Sequence, residues 1–297
     1  MKLTAVILTK NEEENIERCL KSVDFCDEVI IVDDFSEDKT LAQIHKVHKV
    51  YKVIQRRLDG NFAEQRNFAM EKAKNEWVLF LDADEEVSDE LKKEIKKTIH
   101  RNFQFPPDSI GIQTNSKSKN QISKSKETAA YYIKRRDFWW GRELRYGEVR
   151  KIRQTGLIRL VRKGSGYWVG KVHEEYKVKN EKFPPSLKLR RTSKIGSLES
   201  YLNHYPHPKV KDFLEEINFY STLRAKELFD QRKKTNILEI VLYPLGKFLL
   251  TYFIKLGFLD GPTGFAYAFF MSFHSFLVRA KLYQYTRMNT DKNTKKH

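Results

Sequence analysis

The sequence predicts an α/β fold: a mostly parallel sheet flanked by helices, with a helical, membrane-associating C-terminal extension. Three observations lead there. Short β-branched runs alternate with helically spaced segments over the first hundred residues, two of those runs end in paired carboxylates, and the chain beyond Ile237 mixes many Phe and Tyr with Lys and Arg. Strands alternating with helices at this spacing form βαβ units and hence a parallel sheet.

Taken in order, Leu3 to Leu8 has the pattern of a short buried strand, and Ile16, Leu20 and Val23 are spaced as on a helix from Asn15 to Val23. A second strand, Glu28 to Val32, stops at Asp33-Asp34-Phe35-Ser36. Thr40 to His48 can be helical and Tyr51 to Gln55 a third strand; Phe62 to Lys74 is helical, and Trp77 to Leu81 is an apolar strand that ends at Asp82. A helix over Asp89 to Ile99 precedes a Lys- and Ser-rich stretch, Asn115 to Lys126, which reads as a surface loop. Strands are expected at Ala130 to Arg135, Leu157 to Arg162 and Glu174 to Val178, and a helix from Pro208 to Lys233.

With 297 residues, 40% of them hydrophobic, the chain can fill a core, so disorder is not the default reading. The net charge of +17 implies an anionic partner: nucleic acid, phospholipid headgroups, a nucleotide-sugar or a phosphorylated glycan. Only Cys19 and Cys26 occur, so buried thiols in a reducing compartment are expected rather than a disulfide framework. The start shows no signal-peptide pattern, which places the N-terminus in the cytoplasm.

In open parallel sheets the ligand sits beyond the carboxyl ends of the strands, where Asp33, Asp34, Asp82 and Asp84 all fall. Mg²⁺ and Mn²⁺ take oxygen ligands and use one or two carboxylates, leaving the remaining positions to water and substrate phosphates. Asp82 and Asp84 could divide such work between a ribose and a cation. The same residues could also serve as the cap of the helix that follows.

Context decides. Leu8-Thr9-Lys10-Asn11-Glu12, Val32-Asp33-Asp34-Phe35-Ser36, Arg66-Asn67 and Leu81-Asp82-Ala83-Asp84-Glu85 occur in the order and spacing of the family 2 glycosyltransferases, which the first hundred residues resemble closely. The resemblance implies the GT-A fold, a UDP-sugar or similar donor, and a divalent cation, Mg²⁺ or Mn²⁺. Thr9 and Asn11 would then line the nucleotide pocket with Asp33, Asp34 would accept from the base, Arg66 would contact the donor, Asp82 would sit at the ribose, and Asp84, with Asp82, would hold the metal. Phe35 stands where the family usually has Gly, which suggests a different turn.

Inverting transfer also needs a general base. Val172-His173-Glu174 and Arg159-Leu160-Val161-Arg162 resemble the second half of a subgroup that contains the lipopolysaccharide inner-core glucosyltransferases. On that likeness Glu174 would be the base, with His173 beside it. The likeness implies a glycosyltransferase domain over residues 1–200, with a nucleotide-sugar half about 1–100 and an acceptor half about 127–180, then a helical region over 201–297. Trp139, Trp140 and Trp168 are candidates for sugar stacking, or for core. His204 and His207 invite a metal, but two prolines and no carboxylate pattern favour a structural loop.

Gly264 to Val278 is shorter than the roughly 20 residues that span a bilayer, and Ile237 to Leu259 carries Glu239, Pro244, Lys247 and Lys255. Both therefore read as interfacial helices at the cytoplasmic face of the inner membrane rather than spans. The implied reaction is hexose transfer, glucose from UDP-glucose first, to a lipid-linked glycan such as the lipopolysaccharide inner core. Polyprenyl phosphate or a surface polysaccharide remains open as acceptor. A basic nucleic-acid-binding protein is the rival of another class, and it leaves the acidic strand ends unexplained. Oligomeric state is not legible.

Overall fold

The computed structural model describes residues 2–47, 52–104, 128–171, 174–179, 194–206 and 209–294. The chain forms two compact units, Met1–Arg135 with Thr155–Asn203, and Arg136–Gln154 with His204–His297.

The first unit opens with β1 (Leu3–Thr9), α1 (Ile16–Ser22), β2 (Glu28–Asp33), α2 (Thr40–Lys46), β3 (Lys52–Gln55), α3 (Phe62–Lys72) and β4 (Trp77–Asp82). β1 pairs in parallel with β2 and with β4, and β2 with β3. Then come β5 (Glu85–Val87), α4 (Asp89–Gln104) and β6 (Thr128–Trp139). After β7 (Arg142–Leu144) and α5 (Val149–Thr155) follow β8 (Leu157–Arg162), β9 (Gly166–Val169), β10 (Glu175–Val178) and β11 (Lys194–His204). The strand order is β3-β2-β1-β4-β8-β6-β11-β5, and β8 runs antiparallel to both β4 and β6. The sheet is therefore mixed, parallel through its first four strands and antiparallel where β8 joins.

The central strands read as unbroken apolar runs because both faces are covered. In β1, Leu3, Ala5 and Ile7 enter one core cluster while Val6 and Leu8 enter another. Each fully buried Leu or Ile contributes roughly 1.5–3 kcal/mol. Cys19 and Cys26 are buried thiols not joined in a disulfide, as expected.

In the second unit α6 (Val210–Asp230), α7 (Ile237–Leu249) and α8 (Gly261–Thr294) follow one another, with α8 packed along α6 and α7. Trp139 is buried there, edge-on to Phe213, Tyr267 and Phe270. Gly264 permits the tightest approach: a Cβ would lie 2.0 Å from the Gly257 carbonyl oxygen. α7 continues through a π-helical turn, Leu250–Ile254. The run Ile237–Ile254 is, by length and composition alone, long and apolar enough to cross a membrane; the longer stretch to Leu259, read from the sequence as interfacial, adds Lys255. Only two charged residues, Glu239 and Lys247, fall within the shorter run, and Lys247 is neutralised by Glu148 at 3.0 Å.

Strand and helix limits over the first hundred residues agree with the sequence to within a few positions. β5, β7, β9, β11 and α5 had no expectation, being short or polar. The stretch 115–126 lies outside the described residues.

Candidate active site

Strand register builds the site. Thr9 sits opposite Asp33, and Leu8 opposite Asp82, so the last residues of β1, β2 and β4 share one sheet edge. Two backbone bonds extend that edge past the strands, from Asp34 N–H to the Thr9 carbonyl at 2.9 Å and from Ala83 N–H to the Leu8 carbonyl at 3.0 Å.

At the β1/β2 end, Asp33 is fully buried, its carboxylate accepting from Ser36 N–H and Gln55 Nε2, both at 3.1 Å. It braces the turn from beneath. Asp34 accepts from Leu58 N–H at 3.0 Å and pairs with Lys10 at 3.1 Å. Asn11, with φ +54°, accepts from Glu37 N–H at 2.8 Å and donates its own N–H to Ser36 Oγ. Phe35 adopts φ +53°, the left-handed region that suits Gly. The ring is 39% exposed and lies under the Arg57 guanidinium at 4.8 Å, a contact that offsets part of the strain.

At the β4 end, charges converge from distant segments. Arg66 on α3, only 2% exposed, donates from Nη2 to Asp82 Oδ1 and from Nε to Glu174 Oε1, each at 2.8 Å. Arg159 on β8 donates from Nη2 to Asp82 Oδ2 and to Glu85 Oε1, each at 2.6 Å. Arg135 on β6 reaches the same Glu85 oxygen at 3.5 Å. Burial would raise the Asp82 carboxyl, but Arg159 and Arg66 outweigh it and hold the group well below the usual carboxylate range. Burial likewise opposes the charge on Arg159, and Asp82 and Glu85 override that and push its pKa up.

The segment carrying Glu174 is fixed from α3. Asn67 exchanges a donor and an acceptor with the backbone of Trp168 at 2.9 and 2.8 Å, and Phe62 N–H donates to the Lys171 carbonyl. Trp168 packs edge-on to Phe80 and lies 5.4 Å from the Arg66 guanidinium. Trp168 and Trp139 are thus core residues, since both rings are enclosed; Trp140 is 45% exposed and stacks on Trp139. His204 ends strand β11 rather than lying in a loop, and its Nδ1 meets Asp137 at 2.6 Å, a carboxylate supplied from β6. His173 and His207 lie outside the described residues.

Sequence reasoning missed Glu85 and Arg159 as site residues. The signal was there: a charge flanked by Ile158 and Leu160 in an apolar strand needs a buried partner.

Three buried polar atoms of the edge have no hydrogen-bond partner: Thr9 Oγ1, Arg66 Nη1 and Arg159 Nε. A buried donor left unmade costs about 1–3 kcal/mol, and such a cost at a strand edge points to a ligand. An anion bearing hydroxyl or phosphoryl oxygens suits this set. Both Asp82 oxygens are engaged by guanidinium groups, and Asp84, two residues on, is partly exposed. Among the described residues no three His, Cys, Asp or Glu side chains cluster as a metal cage.

Residues 4–155 match the family model described as Glycosyl transferase family 2. An uncharacterized glycosyltransferase of Rickettsia bellii is 30% identical over 95% of this chain and 86% of its own length. The lipopolysaccharide core biosynthesis glycosyltransferase LpsC of Rhizobium meliloti is 27% identical over 95% of this chain and 92% of its own. Among solved structures, S. aureus TarS 1–349 in complex with UDP aligns at 18% identity and a TM-score of 0.45, covering 97% of this chain and 92% of that one. By the family-model match over more than half its length and the R. bellii relative, the chain belongs to the family 2 glycosyltransferases.

Proposed function

We propose that the protein transfers a hexose, glucose from UDP-glucose as first choice, to a lipid-linked glycan with inversion at the sugar carbon. Residues 1–200 would form the catalytic domain, and the acceptor would be of the lipopolysaccharide inner-core type. The name of the R. meliloti relative supports that acceptor. The observation that carries the reading is Arg66: it bridges Asp82 and Glu174 and keeps Nη1 buried and unpartnered beside them. That atom offers a donor diphosphate a charge-assisted bond between the nucleotide side and the base side.

Each residue then has a task. Thr9, Asn11 and Asp34 receive the nucleoside, with Asp33 holding their turn, and Asp82 meets the ribose. Glu174, steadied by Arg66 and flanked in sequence by His173, takes the proton of the acceptor hydroxyl as its oxygen attacks the sugar carbon and the diphosphate departs. Mg²⁺ or Mn²⁺ bound through Asp84 would offset charge on that diphosphate.

The second unit supports action at a membrane surface. Leu238, Val241, Leu242, Leu245 and Leu249 recur along one stripe of α7, and Leu238 is 69% exposed. Exposed apolar area of this extent marks a binding surface, and the chain's +17 charge favours anionic headgroups. The reading is a peripheral contact with the cytoplasmic face of the inner membrane.

Calorimetric titration of UDP and UDP-glucose, with and without Mn²⁺, against wild type and Asp84→Ala tests the reading. Metal-dependent binding that disappears in the variant supports it. No binding by wild type under any condition sinks it.

A further inference from the structure

We propose that Arg159 and Glu85 are a positioning pair that sets the Asp82-Ala83-Asp84 turn for a nucleoside diphosphate. The inference rests on reading that turn as the nucleotide and metal site. Neither residue need touch the ligand.

Three backbone groups of the turn are tied down. Asp82 N–H donates to Glu85 Oε2 at 3.0 Å, the Asp82 carbonyl accepts from the Cys19 thiol at 3.7 Å, and Ala83 N–H is tied to Leu8. Glu85 thus grips Asp82 twice, once through the backbone and once through Arg159, whose Nη2 bridges the two carboxylates. Glu85 is fully buried and Arg159 nearly so.

Stability alone does not account for such a pair. Apolar residues of similar volume commonly serve a buried site as well as an ion pair or better, because desolvation consumes the attraction. What the pair adds is direction. Arg159 fixes Asp82 Oδ2 while Arg66 fixes Oδ1, so the carboxylate plane is set before any ligand arrives, and the ordering cost at binding is reduced. The same anchor orients the backbone that carries Asp84 two residues on.

The test uses the full chain and reads UDP affinity with saturating Mn²⁺ beside thermal stability. Arg159→Leu alone strands the Glu85 charge and destabilises the fold, so the informative variant is the double Glu85→Gln, Arg159→Met. It keeps an acceptor for Asp82 N–H and fills the arginine's volume. The expected result is a Tm close to wild type with UDP affinity reduced at least tenfold. Arg159→Lys, which retains the charge but draws it back from the two carboxylates on a shorter side chain, is expected to fall between. Wild-type UDP affinity in the folded double variant overturns the proposal. Should the double variant fail to fold, unchanged affinity in Arg159→Lys overturns it equally. Wild type that binds no UDP overturns the donor-site reading and this inference with it, a result distinct from variants that bind as wild type does.

Discussion

Arg66 and Glu174, 108 positions apart in sequence, meet at 2.8 Å because Asn67, the neighbour of Arg66, holds the backbone of β9 just before Glu174. The Glu174 carboxylate is thereby registered against the helix that also supports Asp82. Glu174→Gln preserves the acceptor for Arg66 Nε but cannot take a proton. UDP binding by calorimetry should stay within about twofold of wild type while kcat falls by roughly 10²–10⁴. Normal turnover in this variant removes Glu174 from the base role.

Asp84→Ala should abolish Mn²⁺-dependent UDP binding and turnover, whereas Asp84→Glu retains a small fraction, since the longer side chain moves the carboxylate without removing it. Equal UDP affinity with and without Mn²⁺ in wild type contradicts this assignment.

Glu148 in the second unit accepts from Lys255 and Thr251 at 2.9 Å and pairs with Lys247 at 3.0 Å. Burial alone would raise its carboxyl, but the two lysines and Thr251 lower it below the ordinary value. A depressed carboxylate stabilises the fold above its unfolded pKa, about 4.3, and that contribution is lost as pH falls through the folded value. Glu148→Gln should therefore lower Tm at pH 7 by a few degrees, about 1 kcal/mol, and the gap to wild type should close near pH 3. A gap independent of pH refutes the electrostatic account.

Phe35 keeps a left-handed backbone that costs a non-glycine residue of order 1 kcal/mol or more. Phe35→Val, β-branched, should lose more thermal stability than Phe35→Gly, in which relief of strain offsets the lost Arg57 contact and the greater unfolded-state entropy. Melting curves of the two variants decide this by their order alone.

Leu238 and Leu242 project from α7 into solvent. The double variant Leu238→Glu, Leu242→Glu should leave Tm and UDP affinity unchanged yet lower co-sedimentation with vesicles rich in anionic lipid by tenfold or more. Undiminished sedimentation would move the membrane contact elsewhere.

Most of the first hundred residues was legible because the signals there are local. An apolar run buried on both faces, a helical spacing of Ile16 and Leu20, and carboxylates at the ends of β2 and β4 can each be read within a few residues. The Phe35 turn could not be read this way. Its identity argued for a changed turn, but that a Phe holds left-handed backbone there with its ring under Arg57 is visible only in the tertiary structure.

What the sequence determined by itself is the alternation of strands and helices, the acidic strand ends at Asp33 and Asp82, the family, and the aromatic and basic character of the C-terminal helices. What only the tertiary structure decided is which charges meet. Arg66, Arg159, Arg135, Asp82, Glu85 and Glu174 come from α3, four different strands or strand ends, and the segment before β10. Their pairing depends on β8 inserting antiparallel between β4 and β6. The fates of Trp139 and Trp168 as core and of His204 as partner to Asp137 were decided the same way. The reason is physical: periodicity reports which face of an element is buried, while the partner across that face is set by strand order, which local residue patterns do not encode.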